Sequence, residues 1–154
     1  MRRRSHLGSD SGVSAVEFGL ILPVLLAILL GLIDYGHIYF IQLTITNAAR
    51  EGARVGATKD TTTDATAAAL TAAGTYLDAA GLSWARKKPD LSDAIDATYL
   101  AADSTVRVAI TLPIGPTKPR PWPIVGFLSD ALFPAQLRSE AAMHWELAPE
   151  PTGP

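Results

Sequence analysis

The chain of 154 residues has no cysteine. A disulfide framework, a thiolate zinc site and a cysteine nucleophile are thereby excluded, while the compartment stays open. Histidine is almost as scarce. His6, His37 and His144 stand far apart, none with a second histidine or a carboxylate at metal-ligand spacing, so each reads as a surface or structural residue. An excess of charge is missing too. Thirteen Lys+Arg against 15 Asp+Glu leave a net charge of −2, which argues against the basic face that nucleic-acid binding needs. There is no G-x-S-x-G, no glycine-rich phosphate loop and no pair of carboxylates in an obvious cleft. No cofactor and no small-molecule substrate is called for, and the chain does not read as an enzyme.

What the sequence does have is one long apolar run. Phe18 to Ile33, "FGLILPVLLAILLGLI", carries no charge, and back to Val13 only Glu17 interrupts it. Together these residues approach the ~20 that cross a bilayer core. A run apolar on every face exceeds what so small a domain can cover, since about 100 residues remain for one modest core. Tyr35, Tyr39 and Phe40 follow and suit the far interface. Arg2, Arg3 and Arg4 precede the run, and the next basic residue is Arg50. The positive-inside rule therefore predicts a cytoplasmic N-terminus and an exported remainder. A cleaved secretory signal would need a small-x-small site soon after the run, and "GLIDYGHIYF" offers none, so the helix is expected to stay. Pro23 removes one backbone donor and predicts a local kink, which membrane helices tolerate. Asp34 either marks the membrane exit or meets a partner helix.

The helical pattern continues beyond the run. Ile38, Ile41, Ile45, Ala48, Gly52 and Val55 alternate at spacings of three and four, one face of a helix. From Ser14 to Ala57 that helix spans roughly 65 Å. Small residues in "NAAREGARVGA" allow a second element to approach closely, with Arg50, Glu51 and Arg54 on the solvated side. "TKDTTTD" offers caps in Asp60, Thr63 or Asp64 for a second, alanine-rich helix, with Leu70, Ala73 and Leu77 on its inner face and Gly81 as its stop. "SWARKKPD" reads as a linker.

The period then changes to two. "DATYLA" is a short strand. "TVRVAITL" sets Val106, Val108, Ile110 and Leu112 against Thr105, Arg107, Ala109 and Thr111. "QLRSEAAMHWEL" sets Leu137, Ser139, Ala141, Met143, Trp145 and Leu147 inward and Arg138, Glu140, His144 and Glu146 outward. Alternation with one polar face means a half-buried antiparallel sheet, with the two helices as its cover. Pro113, Pro116, Pro119, Pro121 and Pro123 stiffen the connection between the last strands, and "IVGFLSDAL" within it suits a short helix. Trp122 beside Lys118 and Arg120 is either a partner contact or core cover, the second being the simpler reading. The tail "PEPTGP" reads as disordered. The fold class is α+β: a long N-terminal transmembrane helix continuing into a small extracytoplasmic domain, with a second helix packed on a short antiparallel sheet.

Glu17 is the unusual residue. A carboxylate at the centre of a membrane helix costs about 2.5 to 3.5 kcal/mol on insertion scales, and less near an edge. A first-turn acid complementing the helix dipole explains why it is tolerated there. It does not explain the neighbours: Gly12, four residues, then Glu17 and Phe18, between a basic leader and an apolar helix. This arrangement resembles the class III, type IV pilin-like signal. In that signal a prepilin peptidase cuts after the glycine, Val13 becomes the new N-terminus, and the glutamate of one subunit pairs with a neighbour's terminal ammonium. The resemblance extends over "SGVSAVEFGLILPVLLAILLGLIDYGHIYFIQLTITNAAREGARVGA", which is similar to the N-terminal domain of the TadE-like family, minor pseudopilins of tight-adherence (Flp pilus) systems. The matching residues are Glu17 and Phe18, Pro23, and Ala48, Ala49, Arg50, Gly52, Ala53 and Arg54. "VRVAITLPI", "WPIVGFL" and "SEAAMHWE" resemble the family's closing strands more loosely.

The resemblance implies a cleaved cytoplasmic leader at residues 1–12, an inner-membrane span at 13–34, an extracytoplasmic pseudopilin domain at 35–148 and a tail at 149–154. It implies prepilin peptidase, other pilins or pseudopilins and the Tad secretion platform as partners, and no enzymatic activity. A single-pass, membrane-anchored interaction module of the cell envelope without a filament role is the other reading. An anchored periplasmic enzyme lacks polar residues converging on a pocket.

Overall fold

The computed structural model describes residues 10–83, 94–113 and 136–145. The leader through residue 9, most of the linker, the proline-rich connection with Trp122 and its short helix, Leu147 and the tail lie outside the described residues. Helix α1 runs over Asp10–Ala57 and α2 over Thr62–Ala79; strands β1, β2 and β3 cover Ile95–Leu100, Thr105–Pro113 and Gln136–His144. This is the expected α+β arrangement.

Leucine, isoleucine and alanine carry α1 for 48 residues, about 70 Å at the standard rise. It starts four residues before the predicted Ser14. Pro23 lies inside it and leaves the Gly19 carbonyl without its helical donor. The helix ends where "TKDTTTD" brings β-branched and short polar side chains that compete with the helical backbone.

The cap of α2 is Thr61, not Asp60, Thr63 or Asp64. Thr61 has extended backbone (φ −125°, ψ 151°), and its Oγ1 accepts from the Asp64 N–H at 3.1 Å. The same hydroxyl donates to the Asp64 carboxylate at 2.8 Å, so cap and third helical residue hold each other as in a capping box. The register explains the difference: only a residue three before Asp64 reaches that N–H. Thr61→Ala should cost about 1 kcal/mol, read as a lowered midpoint in thermal unfolding of the full chain. The other end closes as a Schellman motif on Gly81 (φ 77°), with Leu82 N–H donating to the Leu77 carbonyl at 2.8 Å and Gly81 N–H to Asp78 at 3.1 Å. Leu77 and Leu82, buried at 0% and 1% exposure, complete its hydrophobic contact.

The three strands form an antiparallel meander in the order β1-β2-β3. Val106, Val108, Ile110 and Leu112 are fully buried, and Leu137 and Ser139 continue that face on β3. Met143 departs from the expected inward alternation and is 40% exposed, because it sits near the end of a strand that, among the described residues, has a neighbouring strand on one side only. The outer face carries Arg107 and Arg138, paired with Glu140 at 3.0 and 3.4 Å. Such exposed pairs add little to stability. Trp145 closes the far end: its Nε1–H donates to the Lys59 carbonyl at 2.6 Å and its ring meets Tyr99 edge-on at 5.0 Å.

Both helices lie on the inner face of the sheet, α1 over β3 and β2, α2 mainly over β1. They form an antiparallel hairpin in which α2 returns along α1. The buried stripe of α2 is Ala65, Ala69, Ala73 and Leu77, four residues apart, while Leu70 is 40% exposed and is not on the inner face. A helix this close to α1 has room for alanine and not for leucine. A polar seam ties α1 to β3: Ser139 Oγ donates to Thr46 Oγ1 at 3.1 Å, and Gln42 Nε2 to the Arg138 carbonyl at 3.2 Å. Ser139 is thereby buried with a partner, as buried hydroxyls require.

Candidate functional site

Along α1 the side chains divide into two halves. From Gly12 to Leu29 every one is exposed, among them Val13, Phe18, Leu20 and Val24 at 60% or more. The domain covers none of the best membrane-crossing window, and the helix is long and apolar enough for a single membrane span. Burial begins at Asp34, which is only 1% exposed, and continues through Ile38, Ile41 and Ile45. Asp34 therefore sits on the domain-facing side of the helix, a position that charge patterning alone leaves open.

Glu17 projects from the exposed half, one helical turn beyond Val13, and among the described residues no group pairs with it. Helical side chains lean toward the N-terminus, so its carboxylate leans over the turn that contains Gly12 and Val13. A Cβ on Gly12 would meet nothing within 4 Å. Among the described residues, the smallness of Gly12 serves no packing. The peptide between Gly12 and Val13 lies in the first turns of α1, where early N–H groups have no helical acceptor, so opening it costs few hydrogen bonds.

The second candidate group, Ala48 to Arg54, has a different character. Ala48, Ala49, Gly52 and Ala53 are buried, whereas Arg50 and Arg54 are exposed. A Cβ on Gly52 would stand 2.8 Å from the Ala69 carbonyl oxygen and 3.0 Å from Ala73 Cβ. Gly56, not singled out from the sequence, is tighter still: its Cβ would meet Ala65 O at 2.8 Å, Val106 Cγ1 at 2.9 Å and Ala69 Cβ at 3.0 Å. The spacing of four between the two glycines was the signal available for it. These residues form the bearing on which α2 and β2 sit. The sequence brings Gly12, Val13, Glu17 and Phe18 together in one exposed stretch of α1, and Ala48 to Arg54 in another place on it; the two groups do not meet.

Arg54 makes a two-point ion pair with Glu51, at 2.7 and 2.9 Å. The hydrogen bonds from Arg54 hold the Glu51 carboxyl below its ordinary value. A depressed carboxyl contributes stability that is present above the unfolded-state value and lost as pH falls through the folded one. Both partners are exposed, so Glu51→Gln should remove only a small, salt-screened part of the acid-side stability, measured as midpoint against pH.

Among the described residues, two shallow grooves follow the helix hairpin. One, near the turn, is lined by Val55, Lys59, Asp60, Asp64 and the alanines of α2. The other, at the returning end of α2, is lined by Phe40, Leu43, Thr44, Asn47, Tyr76, Ala79 and Ala80. Neither gathers a catalytic constellation, and among the described residues no cluster of His, Asp and Glu has metal-holding geometry.

The sequence model of the family described as "TadE-like protein" matches residues 12–54. Over these residues the chain is similar to that family, and the match runs from the glycine of the exposed half to the last arginine of the bearing. No curated protein and no solved structure matches the chain.

Proposed function

We propose that the chain is a minor pseudopilin acting in assembly of a tight-adherence (Flp, type IVb) pilus. The reading rests on the TadE-like match over residues 12–54, whose N-terminal half is the part of the helix that the chain's own domain leaves uncovered. A segment retained for packing within the subunit would be buried by it. A segment retained for a bilayer and for neighbouring subunits would look as Gly12 to Ile33 does.

In this reading prepilin peptidase cuts after Gly12 on the cytoplasmic side, and residues 1–12 leave as the leader. Gly12 admits the protease, Val13 supplies the new ammonium, and Glu17 with Phe18 begins the assembly helix. Residues 13–34 hold the subunit in the inner membrane, with the domain outside the cytoplasm. Pro23 loosens one turn of the span. Arg50 and Arg54 stand on the exposed side of the bearing, open to other pseudopilins or the secretion platform. The work is structural, and no residue acts as a catalyst.

The mass of the mature protein tests the reading. In cells with the peptidase the chain should begin at Val13; in cells without it, or with Gly12→Phe, residues through Gly12 should remain. Identical masses in all strains would overturn the processing step.

A further inference from the structure

We infer that the groove between Phe40, Leu43 and Tyr76 is a lipid seat: the domain rests on the bilayer surface through the returning end of α2. The inference depends on α1 spanning the membrane and goes beyond it.

Two measures of α1 conflict unless the domain touches lipid. A hydrocarbon core of about 30 Å takes ~20 helical residues. With Glu17 at the cytoplasmic headgroups, so that only part of the 13–34 segment lies in hydrocarbon, the core is counted from Phe18 and ends near His37, three residues past Asp34. Yet one face of the helix is already buried from Asp34, at 1% exposure, through Ile38 and Ile41, each at 6%. The start of burial and the boundary of the hydrocarbon therefore overlap along the same helix.

The opposite face shows where contact falls. Leu25, Ile28, Leu32, Tyr35, Tyr39 and Leu43 form one exposed apolar stripe at spacings of three and four. It runs unbroken past the last lipid-facing residue and stops only at exposed Asn47, Arg50 and Arg54. Phe40 and Leu43 stand roughly 5 and 9 Å beyond His37, about the depth of the headgroup layer. Antiparallel α2 brings Tyr76 to this same level, against Phe40 and Leu43. Aromatic side chains with a polar tip are the residues that favour that layer. Continuity with the span selects lipid over a second protein as the occupant. The other end of α2, at Thr62, is on the order of 20 Å farther out.

The absence of cysteine makes the test clean. The full chain is placed in phosphatidylcholine vesicles with one cysteine carrying an environment-sensitive fluorophore, from Tyr76→Cys, Leu43→Cys, Thr62→Cys or Leu25→Cys. Nitroxide on the lipid headgroup should quench the labels at 76 and 43 strongly and spare the label at 62, at every protein-to-lipid ratio. Circular dichroism confirms that each variant is folded. Equal, weak quenching at 76 and 62 would overturn the seat. So would shielding at 76 and 43 that grows with protein density, since a second copy then fills the groove. A label at 25 that escapes acyl-chain nitroxides would instead remove the span itself, and the seat with it.

Discussion

Gly56→Val unfolds the domain at temperatures where the parent chain is intact. The clash lies with backbone: a Cβ alone would stand 2.8 Å from the Ala65 carbonyl oxygen, with Val106 Cγ1 at 2.9 Å on the other side. A long side chain can rotate out of the way of a new methyl. A carbonyl within α2 moves only with its helix, and Val106 is a fully buried residue of the central strand. Overpacking of a close-packed interior costs about 1–3 kcal/mol, and valine adds two further methyl groups to that Cβ. Against a total stability of about 5–15 kcal/mol, a loss at or above the top of that range removes much of the margin. Each kcal/mol lowers the midpoint by roughly 4–8 °C in a domain of this size. Gly52→Ala should give a smaller loss of the same kind, since one Cβ already reaches Ala69 O at 2.8 Å. Gly36→Val is the control. Its Cβ meets nothing within 4 Å, and valine is a better helix former than glycine, so its midpoint should hold or rise slightly. Thermal unfolding of the three full-length variants in detergent reads the contrast. A Gly56→Val midpoint equal to that of Gly36→Val would mean that α2 does not sit on α1 as described.

The same contrast shows what a linear pattern can and cannot reveal. Ile38, Ile41, Ile45, Ala48 and Gly52 are legible as a stripe because burial in a helix repeats every three or four residues, and all five are buried, while Val55, read as its sixth member, is only half-buried. The sheet is legible for the same reason at period two. Leu70 misleads because hydrophobicity marks it as inward, whereas the choice between Leu70 and Ala69 is made by how closely two helices approach. That distance is a property of the pair: glycines on α1 require alanines on α2, and no single segment contains both. Ser139 is legible as inward from the alternation of its strand, but its partner is not: the hydrogen bond to Thr46 exists only because folding brings positions 93 apart together. Gly12, Val13, Glu17 and Phe18, by contrast, form a contiguous signal, readable before any folding. The groove at Phe40, Leu43 and Tyr76 is not, because Tyr76 reaches it only after α2 has turned back.

On the pseudopilin reading proposed above, Glu17→Gln should abolish filament assembly while leaving the chain folded, inserted and cleaved. In the proposed pathway, cleavage after Gly12 would create an ammonium on Val13 at the N-terminus of α1, where the helix dipole already places partial positive charge. That ammonium is unfavourable in an apolar assembly unless a carboxylate meets it. Glu17 is the only acid from Val13 to Ile33. Packing of subunits through their exposed helices, as proposed, would take both charges out of water together. Removing one partner of such a pair leaves the other buried and uncompensated, at a cost of about 3–5 kcal/mol. At roughly 1.4 kcal/mol per tenfold, that weakens each association step by two to three orders of magnitude or more. The fold should not register the change, because Glu17 is exposed and touches none of the domain. Thermal midpoint and mature mass should therefore match the parent while pilus counts and crosslinks to other pilins fall together. Parent-like pili from the glutamine variant would favour the other reading, a membrane-anchored interaction module in which the acid is one more surface residue. Glu17→Asp sharpens the outcome: it keeps the charge but shortens the reach by one methylene. Partial assembly with aspartate and none with glutamine is the result that a charge pair predicts and a merely polar contact does not.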